Sequence, residues 1–127
     1  MRHAEAEEGE PDELRALTAR GRGAASELGR RLADDGVRLD AVLTSPLLRA
    51  RQTGAALASP AGAGVEPDER LAPGATAEDV RAVVAGHGDT VAVVGHQPDC
   101  GQIAAALGVD PAPPFPPLGW AVIDVST

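Results

Sequence analysis

Lysine and tyrosine are absent from this 127-residue chain, cysteine occurs once, and Phe115 and Trp120 are its only large aromatic residues. Without lysine there is no amine nucleophile and no Schiff-base chemistry; all 11 basic positions are arginine. The single cysteine, Cys100, excludes an internal disulfide and any metal site built on several thiolates. Two aromatic rings offer no platform for stacked bases, so the core must be assembled from Val, Leu, Ile and Ala. No stretch approaches the ~20 apolar residues of a membrane helix, and the N-terminus lacks a signal-peptide pattern. Positive charge is also scarce. Nineteen acidic residues against 11 basic ones leave a net charge of −8, which argues against a nucleic-acid or anionic-membrane partner. The expected setting is a soluble, reducing cytoplasm. The length suits a single domain spanning 1–127, enough to bury about two thirds of its unfolded surface.

What the chain does contain is an alternation of short apolar runs with helical patterns. Residues 4–17 are acidic and polar, broken by Gly9 and Pro11, and read as a surface loop. Thr18 is a suitable N-cap for a helix reaching about Asp35, with Ala24, Ala25, Leu28 and Leu32 spaced along one face and Gly36 as the stop. Residues 39–44 form an apolar strand, Ser45-Pro46 ends it, and residues 47–57 fit a second helix. A Ser/Pro/Gly/Ala loop at 58–64 leads to a brief extended segment near 65–67. Thr76 caps a third helix to about Ala85. Residues 90–95 are a continuous apolar run, as in strands buried on both faces of a parallel sheet. Pro98 suits the first turn of a fourth helix ending at Gly108, residues 110–117 are too proline-rich to be regular, and residues 120–125 read as a last strand. Strands that alternate with helices argue an α/β sandwich with a mostly parallel sheet.

The chemistry-bearing residues fall at the ends of these runs. Arg2 and His3 open the chain, Arg49 follows the first strand, and His96 follows the strongest one. Arginine presents a planar fork of donors that matches phosphate oxygens and stays charged at any working pH. Histidine can attack phosphorus through a ring nitrogen or carry a proton near neutrality. Arg49 lies in the first turn of its helix, at the carboxyl edge where α/β proteins bind ligands and where free backbone N–H groups favour an anion. Arg51, two residues on, faces elsewhere, and His87 sits between two glycines in a turn.

These residues also carry a resemblance. Arg2-His3-Ala4-Glu5-Ala6 resembles the Arg-His-Gly signature of the histidine phosphatase superfamily, in the variant seen in SixA-type phosphohistidine phosphatases. Leu17-Thr18-Ala19-Arg20-Gly21 is similar to the family's Leu-Thr-x-x-Gly helix start, Ser45-Pro46-Leu47-Leu48-Arg49-Ala50-Arg51-Gln52-Thr53 to its Ser-Pro-x-x-Arg-Ala-x-Gln-Thr segment, and Gly95-His96 to its second histidine. The resemblance implies a three-layer α/β/α sandwich of the phosphoglycerate mutase-like type. It further implies a phosphatase acting on a phosphohistidine or a small phosphate ester through a covalent phosphohistidine on His3. Arg2, Arg49 and His96 would clamp the phosphoryl group, with Ser45 and Thr18 as structural caps and with no metal or other cofactor. Its partner would be a phosphorylated protein or a small phosphorylated metabolite.

In the family a strand leads directly into Arg-His; only Met1 precedes Arg2 here, so the first strand is expected to be truncated. In the mutase branch a glutamate protonates the leaving oxygen. Glu69 is the nearest positional match, with Glu5, beside His3, as the alternative. Two other readings stand beside the phosphatase: a phosphoglycerate mutase-like enzyme, and a non-catalytic member that binds phosphate without turning it over.

Overall fold

The computed structural model describes residues 1–109 and 114–125. Its first helix, α1 (Ala19–Asp34), begins where the Thr18 side chain accepts the N–H of Gly21 at 2.9 Å, the cap expected from the sequence. Gly36, at φ 79°, ends it in a left-handed conformation that only glycine adopts without strain. The first strand, β1 (Ala41–Thr44), leads to α2 (Leu48–Ala58), and β2 (Val65–Pro67) is short and exposed. A full capping box opens α3 (Ala77–Val84): Thr76 accepts from the Asp79 N–H while the Asp79 carboxylate accepts from the Thr76 N–H. The strand β3 (Val91–Val94) and α4 (Asp99–Ala106) complete the order.

The sheet runs β2-β1-β3 and is parallel throughout, with Val42 opposite both Val65 and Ala92. Side chains alternate across a strand, and β1 shows the consequence. Val42 packs with Ala50 and Ala58 of α2, whereas Leu43 packs with Val80 and Val83 of α3 and with Ile103 of α4. Helices therefore cover both faces, giving the three-layer α/β/α arrangement. The two helices on the first face approach closely because α1 turns small residues inward: a Cβ on Gly29 would lie 2.8 Å from the Leu57 carbonyl oxygen.

The first residues run beside β3. Met1 donates to the Val93 carbonyl and accepts from the Gly95 N–H, and the His3 N–H donates to the Gly95 carbonyl at 3.0 Å, so Arg2 and Gly95 form a single parallel bridge. The expected last strand over 120–125 is not formed. The Arg2 N–H donates to the Gly119 carbonyl and the Leu118 N–H to the His3 carbonyl, two bonds that hold this segment beside residues 2–3 without forming a strand ladder. Residues 120–125 enter no strand ladder, and a strand needs a paired neighbour.

The 4–17 segment also departs from a plain surface loop. Ala4 and Leu17 are buried, Ala6 and Leu17 form an antiparallel bridge, and residues Asp12–Leu14 make one turn of 3-10 helix. Of the proline-rich stretch, residues 114–117 are irregular as expected, and 110–113 lie outside the described residues.

Candidate active site

Each parallel segment delivers one element of the site at its carboxyl end. Residues 1–3 carry Arg2 and His3, the turn after β1 carries Ser45 and leads to Arg49 in the first turn of α2, and β3 runs through Gly95 into His96. The rings of His3 and His96 come together with centroids 5.3 Å apart, tilted by 57°. His3, Arg49 and His96 are all buried, an unusual fate for polar side chains unless they are paired or have work to do.

His3 is held by its own neighbourhood. Its Nδ1 lies 2.7 Å from the Ala4 carbonyl oxygen. A carbonyl can only accept, so Nδ1 carries the proton and Nε2 keeps a bare lone pair. Burial depresses the His3 pKa below its ordinary 6.5, opposed by that hydrogen bond and reinforced by the positive charges of Arg49, Arg2 and Arg15. The neutral, nucleophilic form is thereby favoured. His96 is pushed down further, to about 4, again chiefly by burial, with His3 and Arg49 adding to it.

The two arginines of the sequence reading behave differently. Arg2 reaches the Phe115 carbonyl through Nη1 at 3.1 Å, and its Nε is buried without a partner. Arg49 donates from Nη1 to the Asp12 carbonyl at 2.8 Å and from Nη2 to the Asp12 carboxylate at 3.1 Å, leaving its Nε also unpaired. Arg51 is exposed and bonds to the Pro46 carbonyl, away from the site.

Four further residues belong here to which the sequence reading gave no role in the site. Asp12 joins Arg49 to Arg15, taking Arg15 Nη1 on its other oxygen at 3.0 Å, and the two guanidinium groups hold its carboxyl below the usual range. Arg15 is the only basic residue among the six carboxylates of residues 4–17, and that isolation was the available signal. Thr53, fully buried, donates to the Arg49 carbonyl at 2.8 Å and accepts the Ala4 N–H at 3.0 Å, fixing the His3 segment against α2. Gln52 accepts the Leu17 N–H at 2.7 Å and anchors the far end of the same loop.

The carboxylates proposed as acids are not drawn in. Glu69 is exposed on a 3-10 turn after β2. The Glu5 carboxylate instead accepts the Thr18 hydroxyl at 2.8 Å, which is why it does not serve His3. Ser45 does not cap the first turn of α2, where Leu47 stands without a side-chain cap; its Oγ accepts the Leu47 N–H at 3.2 Å and lies 2.7 Å from His96 Nε2. Among the described residues no group of three His, Cys, Asp or Glu side chains could hold a metal ion, and no helix is long and apolar enough to cross a membrane.

An α/β sheet edge carrying paired histidines and converging arginines defines a phosphoryl-handling class of protein. Residues 1–73 match the model of the histidine phosphatase superfamily, branch 1, and the chain belongs to that family. A curated relative, an uncharacterized protein of Picosynechococcus, is 38% identical over 99 residues, which is 73% of this chain; the chain spans 59% of that relative's length. Among solved structures, a protein histidine phosphatase SixA complexed with tungstate superposes with a TM-score of 0.80 at 26% identity, covering 92% of this chain and 80% of that one. A protein from Agrobacterium tumefaciens, assigned as phosphohistidine phosphatase SixA, superposes with a TM-score of 0.71 at 28% identity over 87% and 75% of the two chains.

Proposed function

We propose that this chain is a phosphatase that hydrolyses a phosphohistidine or a small phosphate ester through a covalent intermediate on His3. The observation that carries this is the Nδ1 hydrogen bond of His3 to Ala4, which leaves Nε2 unprotonated in a buried, arginine-lined site. The Nε2 lone pair attacks phosphorus, forming an N–P bond, and the bond to the leaving atom breaks with its electron pair. Water then attacks the phosphohistidine; the N–P electrons return to Nε2 and inorganic phosphate departs. Arg2, Arg49 and His96 would hold the three outer oxygens, whose charge redistributes in the transition state. Arg15 adds positive charge beside them. A SixA relative is complexed with tungstate, an oxyanion of phosphate-like shape, which supports reading this chain as an oxyanion binder.

A phosphoramidate nitrogen leaves readily once protonated and needs a built-in acid less than an ester oxygen does. Glu69, the acid the sequence offers for ester substrates, is exposed on its 3-10 turn, so the site as built suits a phosphohistidine better than an ester. The mechanism uses no metal, so turnover is expected to survive EDTA. His3→Ala should lower hydrolysis of an aryl phosphate by about a thousandfold or more, and the intact protein quenched in base should carry an acid-labile, base-stable phosphate. A His3→Ala variant at near-normal rate overturns the assignment, and loss on chelation with recovery by a divalent cation overturns the metal-free chemistry.

A further inference from the structure

Building on the phosphatase reading, we propose that Ser45 is a positioning residue that holds His96 in the tautomer with its proton on Nδ1, so that Nδ1–H is the donor presented to the transferring phosphoryl group. The inference comes from counting hydrogens at a buried junction. Ser45 is fully buried, and its backbone is fixed on both sides: its N–H donates to the Val94 carbonyl at 2.9 Å, and its carbonyl accepts the Thr44 hydroxyl at 2.9 Å. Its Oγ therefore has a set position. The Leu47 N–H, 3.2 Å away, can only donate, and it occupies one lone pair of that oxygen. One lone pair and one hydrogen remain for His96 Nε2, 2.7 Å away.

Two arrangements are possible. If Nε2 carried the proton and donated to Ser45, the serine hydrogen would have no acceptor in this buried position. His96 Nδ1 would then be a bare nitrogen, buried and without a partner, and would offer a lone pair to an anion. Two groups would go unmet, and one of them would repel the substrate. If Ser45 donates to Nε2, the hydroxyl is satisfied in full. The one unmet group is then Nδ1–H, a buried donor in the same site as the arginine Nε groups that also lack partners. Buried donors without partners are costly, and an oxyanion supplies what these lack. Because burial and its positive neighbours keep His96 neutral near pH 7, the ring has a single proton to place, and the choice of nitrogen decides its function.

The test reads the tautomer directly. In 15N-labelled wild-type protein, long-range imidazole correlations assigned by their loss in His96→Gln should show His96 protonated at Nδ1 and bare at Nε2. Ser45→Ala should move the proton toward Nε2 and lower kcat for an aryl phosphate by roughly ten- to a hundredfold, the scale typical of losing a partner that orients a functional histidine, with KM little changed. A wild-type signal protonated at Nε2 overturns the proposal without any variant. A Ser45→Ala protein that keeps the wild-type tautomer, or one that switches tautomer with no loss of kcat, overturns it equally. If the wild-type chain hydrolyses no phosphate, the phosphatase reading fails, while the wild-type spectrum still decides what Ser45 does to His96.

Discussion

Arg49 meets Asp12 with both terminal nitrogens, so the fork that would grip a phosphoryl group is already filled by a carboxylate and a carbonyl of the same residue. Asp12 is itself exposed and bridges onward to Arg15. A substrate phosphate must take over these donors, and the Asp12 charge competes with it. Asp12→Asn should therefore lower KM for an aryl phosphate by about two- to tenfold, the modest scale of an exposed ion pair; an unchanged KM would show that Asp12 does not compete with the substrate, and a raised one that it assists binding. The same residues set the pH response. In the proposed mechanism His3 attacks as the neutral imidazole, and its pKa is lowered by burial and by its arginines, so the acid limb of kcat/KM should fall below pH 6.5. A limb at or above 6.5 contradicts the environment described for His3. Arg2, His3, Arg49 and His96 were legible in the sequence because they fall in segments that match the family's motifs, and Arg49 and His96 also follow apolar strands. Asp12 and Arg15 were not, because their roles arise from a loop folding back over α2, and nothing in an acidic stretch distinguishes a solvated carboxylate from one pinned between two guanidinium groups.

At the scale of elements, the caps and breakers were the readable part. Thr18, Thr76 and Gly36 do locally what their chemistry favours, and α1, α2 and α3 begin and end within a few residues of expectation. The failure at 120–125 has the opposite cause: an apolar run declares that it can be a strand, but pairing is a property of its neighbours. Close approach between elements is equally invisible in one dimension, and two glycines of α1 show it. A Cβ on Gly21 would collide with the Glu5 carbonyl, whereas one on Gly23 meets nothing within 4 Å. Gly21→Ala should destabilise the fold by about 1–3 kcal/mol through forced backbone displacement. Gly23→Ala, on an exposed helical position, should stabilise it by about 0.5–1 kcal/mol through reduced freedom of the unfolded chain. Thermal melting of the two variants separates them, and similar shifts in the same direction would contradict the packing of residues 4–6 against α1.

For the whole molecule, burying two histidines ties folding to proton concentration. The unfolded chain binds a proton at His96 near pH 6.5, while the folded chain does so only near 4. Between those values the unfolded state holds more protons, so stability falls as the pH drops from about 7 toward 4 and this contribution levels off below. The loss should approach about 3 kcal/mol at most, and His96→Gln, which cannot titrate, should flatten that part of a denaturation-against-pH curve. An unchanged slope would mean that carboxylates govern the acid response. The scarcity of aromatic residues has a consequence of its own. Trp120 is the only tryptophan and there is no tyrosine; it is 46% exposed and directly follows Gly119, whose carbonyl is hydrogen-bonded to Arg2. The protein thus carries one tryptophan, placed next to the residue that begins the Arg-His motif of its family. Its emission reports on one joint of the molecule, the seam between Arg2 and the 118–120 segment, with no competing light from anywhere else in the fold.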